Sequence, residues 1–294
     1  MEPARPSDTE LRIAADQLRL DSLRGLAGPG SGHAGGILSM AELLAVLYNC
    51  FVRTDPAEPK KPERDKVVLS KGHCGPGLFA ALAARGFFPA SELTSINKNG
   101  TRFPSHCDMN KTPGVDMTTG SLGQGASTAA GLALADTLAG RDFTTYLILG
   151  DGELDEGQVW EMALFAAQQK LDNLIAFVDA NGQQLDGDVN GICGLGDIAA
   201  KFRSFGWNTL SIDDGHDVTA IRGAIIVALA TKGMPTAIVL NTVKGKCWTQ
   251  LEGKCPVHHS VVTAEMLAQA EEEIGGRIAE MKKQLEISAH SGKQ

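Results

Sequence analysis

The chain has 294 residues, of which 43% are apolar and 21% are charged, a balance typical of a globular protein rather than a disordered one. Its formal net charge is −8 and no cluster of Lys or Arg stands out, which argues against a nucleic-acid partner. No apolar run approaches the roughly 18 residues of a membrane-spanning helix, so we expect no membrane partner. Six cysteines without a paired spacing favour a reducing compartment, and we expect a cytoplasmic protein.

Short apolar runs alternate along the chain with longer segments of helical spacing. The predicted strands are residues 66–70, 144–149, 174–178, 208–212 and 236–240. The predicted helices are residues 10–26, 39–52, 76–86, 123–139, 154–170, 217–231 and 263–287. Buried strands that alternate with helices predict an α/β fold with a doubly wound, mostly parallel sheet and helices on both faces. We expect a single domain over residues 1–294, with a helical N-terminal entry and a C-terminal helix.

One long segment, residues 87–119, has no strong periodicity and contains His106 together with several Gly and Pro residues. A stretch of this length without helix or strand is uncommon inside a compact domain unless it carries function. We therefore expect this segment to contribute to a site.

Polar residues follow two successive predicted strands. Asp151 comes after the strand at 144–149, and Asn181 comes after the strand at 174–178. Because a strand–helix–strand unit places the carboxyl ends of its parallel strands at one edge of the sheet, both side chains can reach the same point. Their oxygens, with the backbone carbonyl of Gln183, suit Mg²⁺ or Ca²⁺, and such a cation takes its other ligands from water and a phosphate group.

Glycines around Asp151 fit a bound anion. Gly150 and Gly152 let the backbone approach a ligand closely, and the segment that begins at Glu153 has helical spacing, so its N–H groups can face a phosphate. The Gly-Asp-Gly motif alone, or Asn181 with Gly182 alone, is also explained by an ordinary turn. Their occurrence at two matching strand ends favours a cation shared with a diphosphate.

The pattern Gly150-Asp151-Gly152 followed by Asn181 resembles the diphosphate-binding motif of thiamine diphosphate enzymes. Within that group, the chain resembles the N-terminal half of transketolase over about residues 10–290. Four further stretches carry the resemblance, at residues 31–36, 70–73, 106–116 and 119–125. The resemblance implies the diphosphate-binding (PP) type of domain, with thiamine diphosphate and Mg²⁺ (or Ca²⁺) as cofactors.

The resemblance also implies roles for the histidines. His73 and His258 would contact the diphosphate, and His33, His106 and His258 would line the reacting site. The neighbouring His259 leaves open which of the two residues at 258 and 259 faces the site. A single histidine is more often structural, but His33, His73 and His106 all lie in Gly- or Pro-rich loops rather than on apolar helix faces.

The remaining implied roles concern the rest of the cofactor. The backbone at Gly120 and Leu122 would approach the aminopyrimidine ring, Gly152 the diphosphate, and Leu185 would pack against the cofactor. Glu156 would join a carboxylate network at the subunit contact. An acid in a first helical turn is also favoured by the helix dipole alone, and residues 120–125 are also consistent with a tight loop packed on a helix.

Two further features of the sequence concern a possible zinc site and the identity of the substrate. Cys247, Cys255, His258 and His259 carry zinc-ligand types, but the gap between the cysteines lacks the short spacing of a zinc site. Cys74 after His73, and the residues around His106, depart from the usual family pattern. These departures lie near the sugar site, so they leave the substrate open, including branched or sulfonated sugars.

Single-chain transketolases also carry a pyrimidine-binding domain, whose glutamate activates the cofactor. We therefore expect this chain to be one subunit of a two-chain transketolase. The partner, a C-terminal subunit, would supply that glutamate and part of the substrate-phosphate pocket. The expected assembly is a heterotetramer with two copies of each subunit. The substrates would be a ketose, usually phosphorylated, and an aldose. Alternatives are the α subunit of a 2-oxo acid dehydrogenase, which shares only the cation motif, and a cofactor-binding module without a catalytic partner.

Overall fold

A computed structural model describes residues 6–255 and 257–291 of the chain. The helices are α1 (Asp8–Ala27), α2 (Ala34–Ser39), α3 (Ala41–Val46), α4 (Gly75–Ala84), α5 (Gln124–Leu138), α6 (Gly157–Gln168), α7 (Val189–Ile192), α8 (Ile198–Ser204), α9 (Val218–Ala230) and α10 (Ala264–Ser291). The strands are β1 (Ser31–Gly32), β2 (Lys66–Leu69), β3 (Thr145–Gly150), β4 (Leu174–Ala180), β5 (Gln183–Gln184), β6 (Gly187–Asp188), β7 (Asn208–Ile212), β8 (Thr236–Asn241) and β9 (Ser260–Val261).

The five predicted strands form one parallel sheet. Its strand order is β2-β3-β4-β8-β7, and every neighbouring pair in it runs parallel. The predicted doubly wound parallel sheet is confirmed. The remaining short strands form two small antiparallel pairs, β1 with β9 and β5 with β6, and neither pair was predicted.

Side chains of the sheet alternate between two apolar layers. In β4, Ile175 and Phe177 pack into the layer that contains α1–α4, α9 and α10, whereas Ala176 and Val178 pack against α5, α6 and α8. Successive residues of a strand point to opposite faces, so a strand that is buried on both sides is apolar at every position. This explains why the strands appear in the sequence as continuous apolar runs.

The helix boundaries depart from prediction at several points. The predicted helix at 39–52 comprises α3 and a π-helical turn, Leu47–Phe51, while the separate helix α2 was missed. The predicted helix at 154–170 begins at Gly157, because a 3₁₀ turn, Gly152–Asp155, and the extended backbone of Glu156 precede it. Helix α8 was also missed, since its seven residues are too few to show a clear helical period.

The segment at 87–119 is a folded loop with buried anchors. A 3₁₀ turn, Ala90–Ser95, is its one regular element within the part of the chain that the structure describes. The ring of Phe103 lies 4.7 Å from that of Phe88 and 5.8 Å from that of Phe79. A carboxylate oxygen of Asp116 accepts a hydrogen bond from the backbone N–H of Val67. These contacts hold the loop against β2 and α4.

Among the described residues, no helix combines the length and the apolar character needed to cross a bilayer.

Two glycines of α5 give a matched test of how this helix packs behind the end of β2. A Cβ atom at Gly125 would lie 2.6 Å from Ser70 Oγ and 2.7 Å from Ser70 Cα, whereas one at Gly131 would meet nothing within 4 Å. We expect Gly125→Ala to lower the free energy of unfolding by about 1–3 kcal/mol through overpacking. Gly131→Ala should raise it by about 0.5–1 kcal/mol.

Chemical denaturation of the two variants measures both effects. Equal effects of the two substitutions would contradict the close approach of α5 to Ser70.

Candidate active site

A cavity of about 250 Å³ opens at the carboxyl edge of the sheet. It collects all of the predicted site residues except Glu156, together with several that were not predicted. Its lining consists of His33, Gly36, Lys71, His73, His106, Gly120, Leu122, Gly150, Asp151, Gly152, Glu153, Asn181, Gln183, Gln184, Leu185, Lys244 and His258. The five sequence stretches that are far apart in the chain therefore meet in one place.

Asp151 and Asn181 lie at the same rim of the sheet. One carboxylate oxygen of Asp151 accepts a hydrogen bond of 2.6 Å from the N–H of Gly182, the residue after Asn181. Its other oxygen accepts a hydrogen bond of 2.8 Å from the N–H of Gly152. The parallel pairing of β3 with β4 makes this possible, because Gly150 and Asp179 are register partners. Asp151 and Asn181 line the same cavity, and their role as ligands of one cation stays a prediction.

The oxygens at this rim fit a hard divalent cation. They come from a carboxylate (Asp151), an amide side chain (Asn181) and the backbone carbonyl of Gln183, which are the ligand types that Mg²⁺ and Ca²⁺ prefer. A positive group already uses one of them, since Lys244 Nζ donates a hydrogen bond of 3.0 Å to the Gln183 carbonyl. Among the described residues, no group of three or more His, Cys, Asp and Glu side chains is arranged to hold a metal ion.

The charge state of Asp151 depends on what binds beside it. Burial raises the pKa of its carboxyl to about 6, and the neighbouring Asp179 acts in the same direction. The N–H groups of Gly182 and Gly152 lower that pKa but do not compensate fully. A cation at this position would favour the ionised form. The buried carboxylate therefore fits a bound positive ion.

Five histidine rings cluster over the cavity mouth. The ring of His33 lies 5.2 Å from His73, 5.7 Å from His106, and 5.1 Å from each of His258 and His259. His258 lines the cavity while His259 is exposed, so the structure places His258 at the position left open by the sequence.

Three of these histidines, His33, His73 and His258, have lowered pKa values. Burial, and then the positive neighbours, lower the pKa of His33 and His258 to about 4 and that of His73 to about 2. At neutral pH each of these three rings therefore has one N–H donor and one acceptor nitrogen. Such groups can hydrogen-bond to sugar hydroxyls and to phosphate oxygens.

Three buried charged residues that line the cavity were not predicted as site residues: Lys71, Glu153 and Lys244. The side chain of Lys244 enters the cavity from the loop after β8, and its Nζ lies 3.5 Å from Nδ1 of His258. The carboxylate of Glu153 accepts hydrogen bonds from Ser70 Oγ (2.5 Å) and from the N–H of Gly123 (2.9 Å), so it ties two motif loops together. The sequence signal that could have identified Lys244 is its position shortly after the predicted strand at residues 236–240.

The predicted glutamate, Glu156, lies outside this cavity. Its side chain is exposed at the start of α6, while Glu153 is the buried acid of this turn. Its predicted role at a subunit contact stays a prediction. Leu185 lines the cavity and is 62% exposed, which leaves an apolar surface facing the opening.

The pKa of Asp151 predicts how Mn²⁺, used as a probe of the cation site, should depend on pH. Protonation of the carboxyl removes a ligand, so affinity should be level well above the pKa of about 6 and fall as pH drops through it. Asp151→Asn keeps an oxygen that cannot be protonated, so it should bind Mn²⁺ more weakly but with little pH dependence. Electron paramagnetic resonance of free Mn²⁺ measures both.

An identical pH dependence in the wild type and in Asp151→Asn would show that another group controls the binding.

Comparison with known proteins identifies the family. A sequence profile for "Transketolase, thiamine diphosphate binding domain" matches residues 11–290. The chain is 48% identical to the 6-deoxy-6-sulfo-D-fructose transketolase subunit SqwG of Clostridium sp. (strain MSTE9), over 90% of this chain and 96% of that protein. It is 34% identical to an apulose-4-phosphate transketolase subunit of Phocaeicola vulgatus, over 86% of this chain and 90% of that protein.

The fold comparison agrees. Transketolase from Leishmania mexicana superposes with a TM-score of 0.86 at 30% identity, over 92% of this chain. The match covers 41% of the Leishmania chain, so this chain spans less than half the length of that solved structure. With the profile match over residues 11–290 and the cavity at the sheet edge, these findings show that the chain belongs to the transketolase family, through its thiamine diphosphate-binding domain.

Proposed function

We propose that this chain is the thiamine diphosphate-binding subunit of a two-chain transketolase, which moves a two-carbon ketol unit from a ketose to an aldose. The observation that carries the proposal is the meeting of five separate sequence stretches in one cavity at the carboxyl edge of the sheet. The family match supports the reaction class. It disfavours the 2-oxo acid dehydrogenase alternative, which shares only the cation motif.

In this proposal, Asp151, Asn181 and the Gln183 carbonyl would hold Mg²⁺ or Ca²⁺, which would offset the negative charge of the diphosphate. Lys244 and His73 lie beside that position and supply positive charge and a hydrogen-bond donor. The carbonyl of Gln183 has a second lone pair, so it can accept the hydrogen bond from Lys244 and still contact a cation. The bound cofactor would supply the nucleophilic carbon and the electron sink that cleave the bond next to a ketose carbonyl.

The neutral histidines would bind the sugar substrate through hydrogen bonds. His33, His106 and His258 each line the cavity, and a neutral imidazole can donate to a carbonyl oxygen or accept from a hydroxyl. Gly120 lies against His106, since a Cβ atom there would come within 3.1 Å of that ring. The glycine therefore leaves room for the ring beside the predicted pyrimidine-binding backbone of Gly120 and Leu122.

A partner subunit would complete the site. The chain spans 96% and 90% of two relatives that are named as transketolase subunits, but 41% of the Leishmania transketolase chain. The partner would carry the pyrimidine-binding domain and its activating glutamate, and the exposed Glu156 and Leu185 are free to meet it. A heterotetramer with two copies of each subunit, and a cytoplasmic location, remain predictions.

The relatives suggest which donors to test first. One is named for 6-deoxy-6-sulfo-D-fructose and the other for apulose 4-phosphate. At 48% identity, the sulfonated sugar is the first donor that we propose, with phosphorylated ketoses beside it. Both kinds of sugar end in a strong anion, which the partner subunit would help to bind in this proposal.

Reconstitution tests this function. We expect the purified chain alone to lack ketol transfer, and the chain with its partner, thiamine diphosphate and Mg²⁺ to transfer a two-carbon unit from a panel of ketoses. Oxidative decarboxylation of 2-oxo acids should stay absent. A coupled assay of the aldose product measures the reaction.

Full turnover by the chain alone would refute the need for a partner. Cofactor binding by the assembled pair without transfer from any donor would favour the non-catalytic module instead.

A further inference from the structure

A buried carboxylate beneath the cation site connects four neighbouring residues. Asp179, near the end of β4, is fully buried and accepts hydrogen bonds from Lys71 Nζ (2.5 Å), Ser39 Oγ (2.6 Å), Asn181 Nδ2 (2.9 Å) and the hydroxyl of Thr242. It does not stand out in the sequence, because it occupies a position flanked by apolar residues within the strand.

Three of these donors hold the Asp179 carboxylate from segments outside residues 181–183, the proposed cation loop. Ser39 ends α2, Lys71 follows β2, and Thr242 follows β8. The buried ammonium group of Lys71 donates to the neutral Gly36 carbonyl and lies 2.5 Å from the Asp179 carboxylate, and this buried positive charge favours the ionised form of Asp179. The position and the charge of Asp179 are therefore set before any ligand binds.

The fourth contact decides which way the Asn181 amide points. An ionised carboxylate can only accept hydrogen bonds, so the amide nitrogen must face Asp179. The amide oxygen then points away from Asp179, where it accepts a hydrogen bond of 3.2 Å from the N–H of Gln183 and lies on the side of the cation loop. An amide turned by half a rotation would present its NH₂ group to the cation, which no cation can use as a ligand.

We infer that Asp179 is a positioning residue for the cation: it selects the orientation of the Asn181 amide in which the oxygen, and not the nitrogen, faces the metal. This inference rests on the proposed function, because it takes the cation site at Asp151 and Asn181 as given. It adds that the site is oriented in advance by a residue that touches neither cation nor cofactor, a type of outer-shell support known to tune metal sites.

The rival explanation is that Asp179 serves only as the charge partner of Lys71. An exchange of the two residues at 179 and 181 separates these roles. In Asp179→Asn/Asn181→Asp, the new amide at 179 can donate to the new carboxylate at 181, whose other oxygen still faces the cation. The exchange keeps the net charge but takes the carboxylate away from its present place beside Lys71.

The test titrates the whole chain with the preformed Mn²⁺–pyrophosphate complex by calorimetry, up to millimolar concentrations. We expect Asp179→Asn to weaken binding by roughly 10- to 100-fold, the range for losing an outer-shell partner of a metal ligand. The exchange variant should recover most of that loss. Ser39→Ala removes a different hydrogen bond to Asp179 and should leave binding near the wild-type value.

Asp179→Asn leaves the buried Lys71 without a charge partner, so it is accompanied by a comparison of Lys71→Met with Lys71→Met/Asp179→Asn. The double variant has no unpaired buried charge, and we expect it to bind more weakly than Lys71→Met alone. Thermal unfolding by circular dichroism confirms that each variant is folded.

The outcomes are distinguishable from a failure of the proposed function. Loss of binding in Asp151→Ala with wild-type binding in Asp179→Asn would overturn the positioning role alone. Unchanged binding in Asp151→Ala, or none by the wild type, would overturn the cation site and this inference with it. Weak binding by both Asp179→Asn and the exchange variant would favour the charge-partner explanation and refute ours.

Discussion

The parallel pairing of β3 with β4 is the constraint on which the rest of the site depends. Its register makes Gly150 and Asp179 partners, so the residues just beyond them, Asp151 and Asn181, leave the sheet at the same rim. An antiparallel pairing would send the two strand ends to opposite edges. The Gly182 N–H then joins the loops by its hydrogen bond to Asp151. Four histidines, the loop that contains Gly120 and Leu122, and the lysines Lys71 and Lys244 also line the cavity at this rim.

The rim also concentrates buried charge, and this explains its electrostatics. Asp151, Asp179 and Glu153 are buried beside two buried lysines, Lys71 and Lys244. Burial of an unpaired charge is costly, and a close opposite charge offsets that cost. Asp179 has Lys71 as its partner, but Asp151 has no comparable ion pair among the described residues. A divalent cation would supply the missing positive charge, and the cation in turn would attract a diphosphate.

Local sequence patterns were sufficient for the sheet and for the rim at Asp151 and Asn181, whereas Gly120, Leu122, Leu185 and His258 followed from the resemblance to transketolase. Continuous apolar runs identify strands that are buried on both faces, and His33, His73 and His106 stand out because they lie in Gly- or Pro-rich loops. Such signals lie within a few residues of each other. They predict which element ends where, and parallel topology then brings those ends together.

The parts that were missed depend on contacts between distant segments. Glu153 and Glu156 occupy the same turn, and Glu153 is the buried one, with hydrogen bonds from Ser70 and Gly123, which are 83 and 30 positions away in the chain. The role of Asp179 depends on its contact with Lys71, which lies 108 positions earlier in the chain. No local period encodes such pairs, so they become visible only once the strands are in place.

The central claim is that one cation is shared by Asp151, Asn181 and the Gln183 carbonyl. Crystals of the chain soaked with Mn²⁺ and pyrophosphate, measured at the manganese absorption edge, test it directly. The account predicts a single anomalous peak at this rim, within coordination distance of all three oxygens and of a phosphate oxygen. A peak bound elsewhere, or Asp151 and Asn181 too far apart to share one ion, would contradict it.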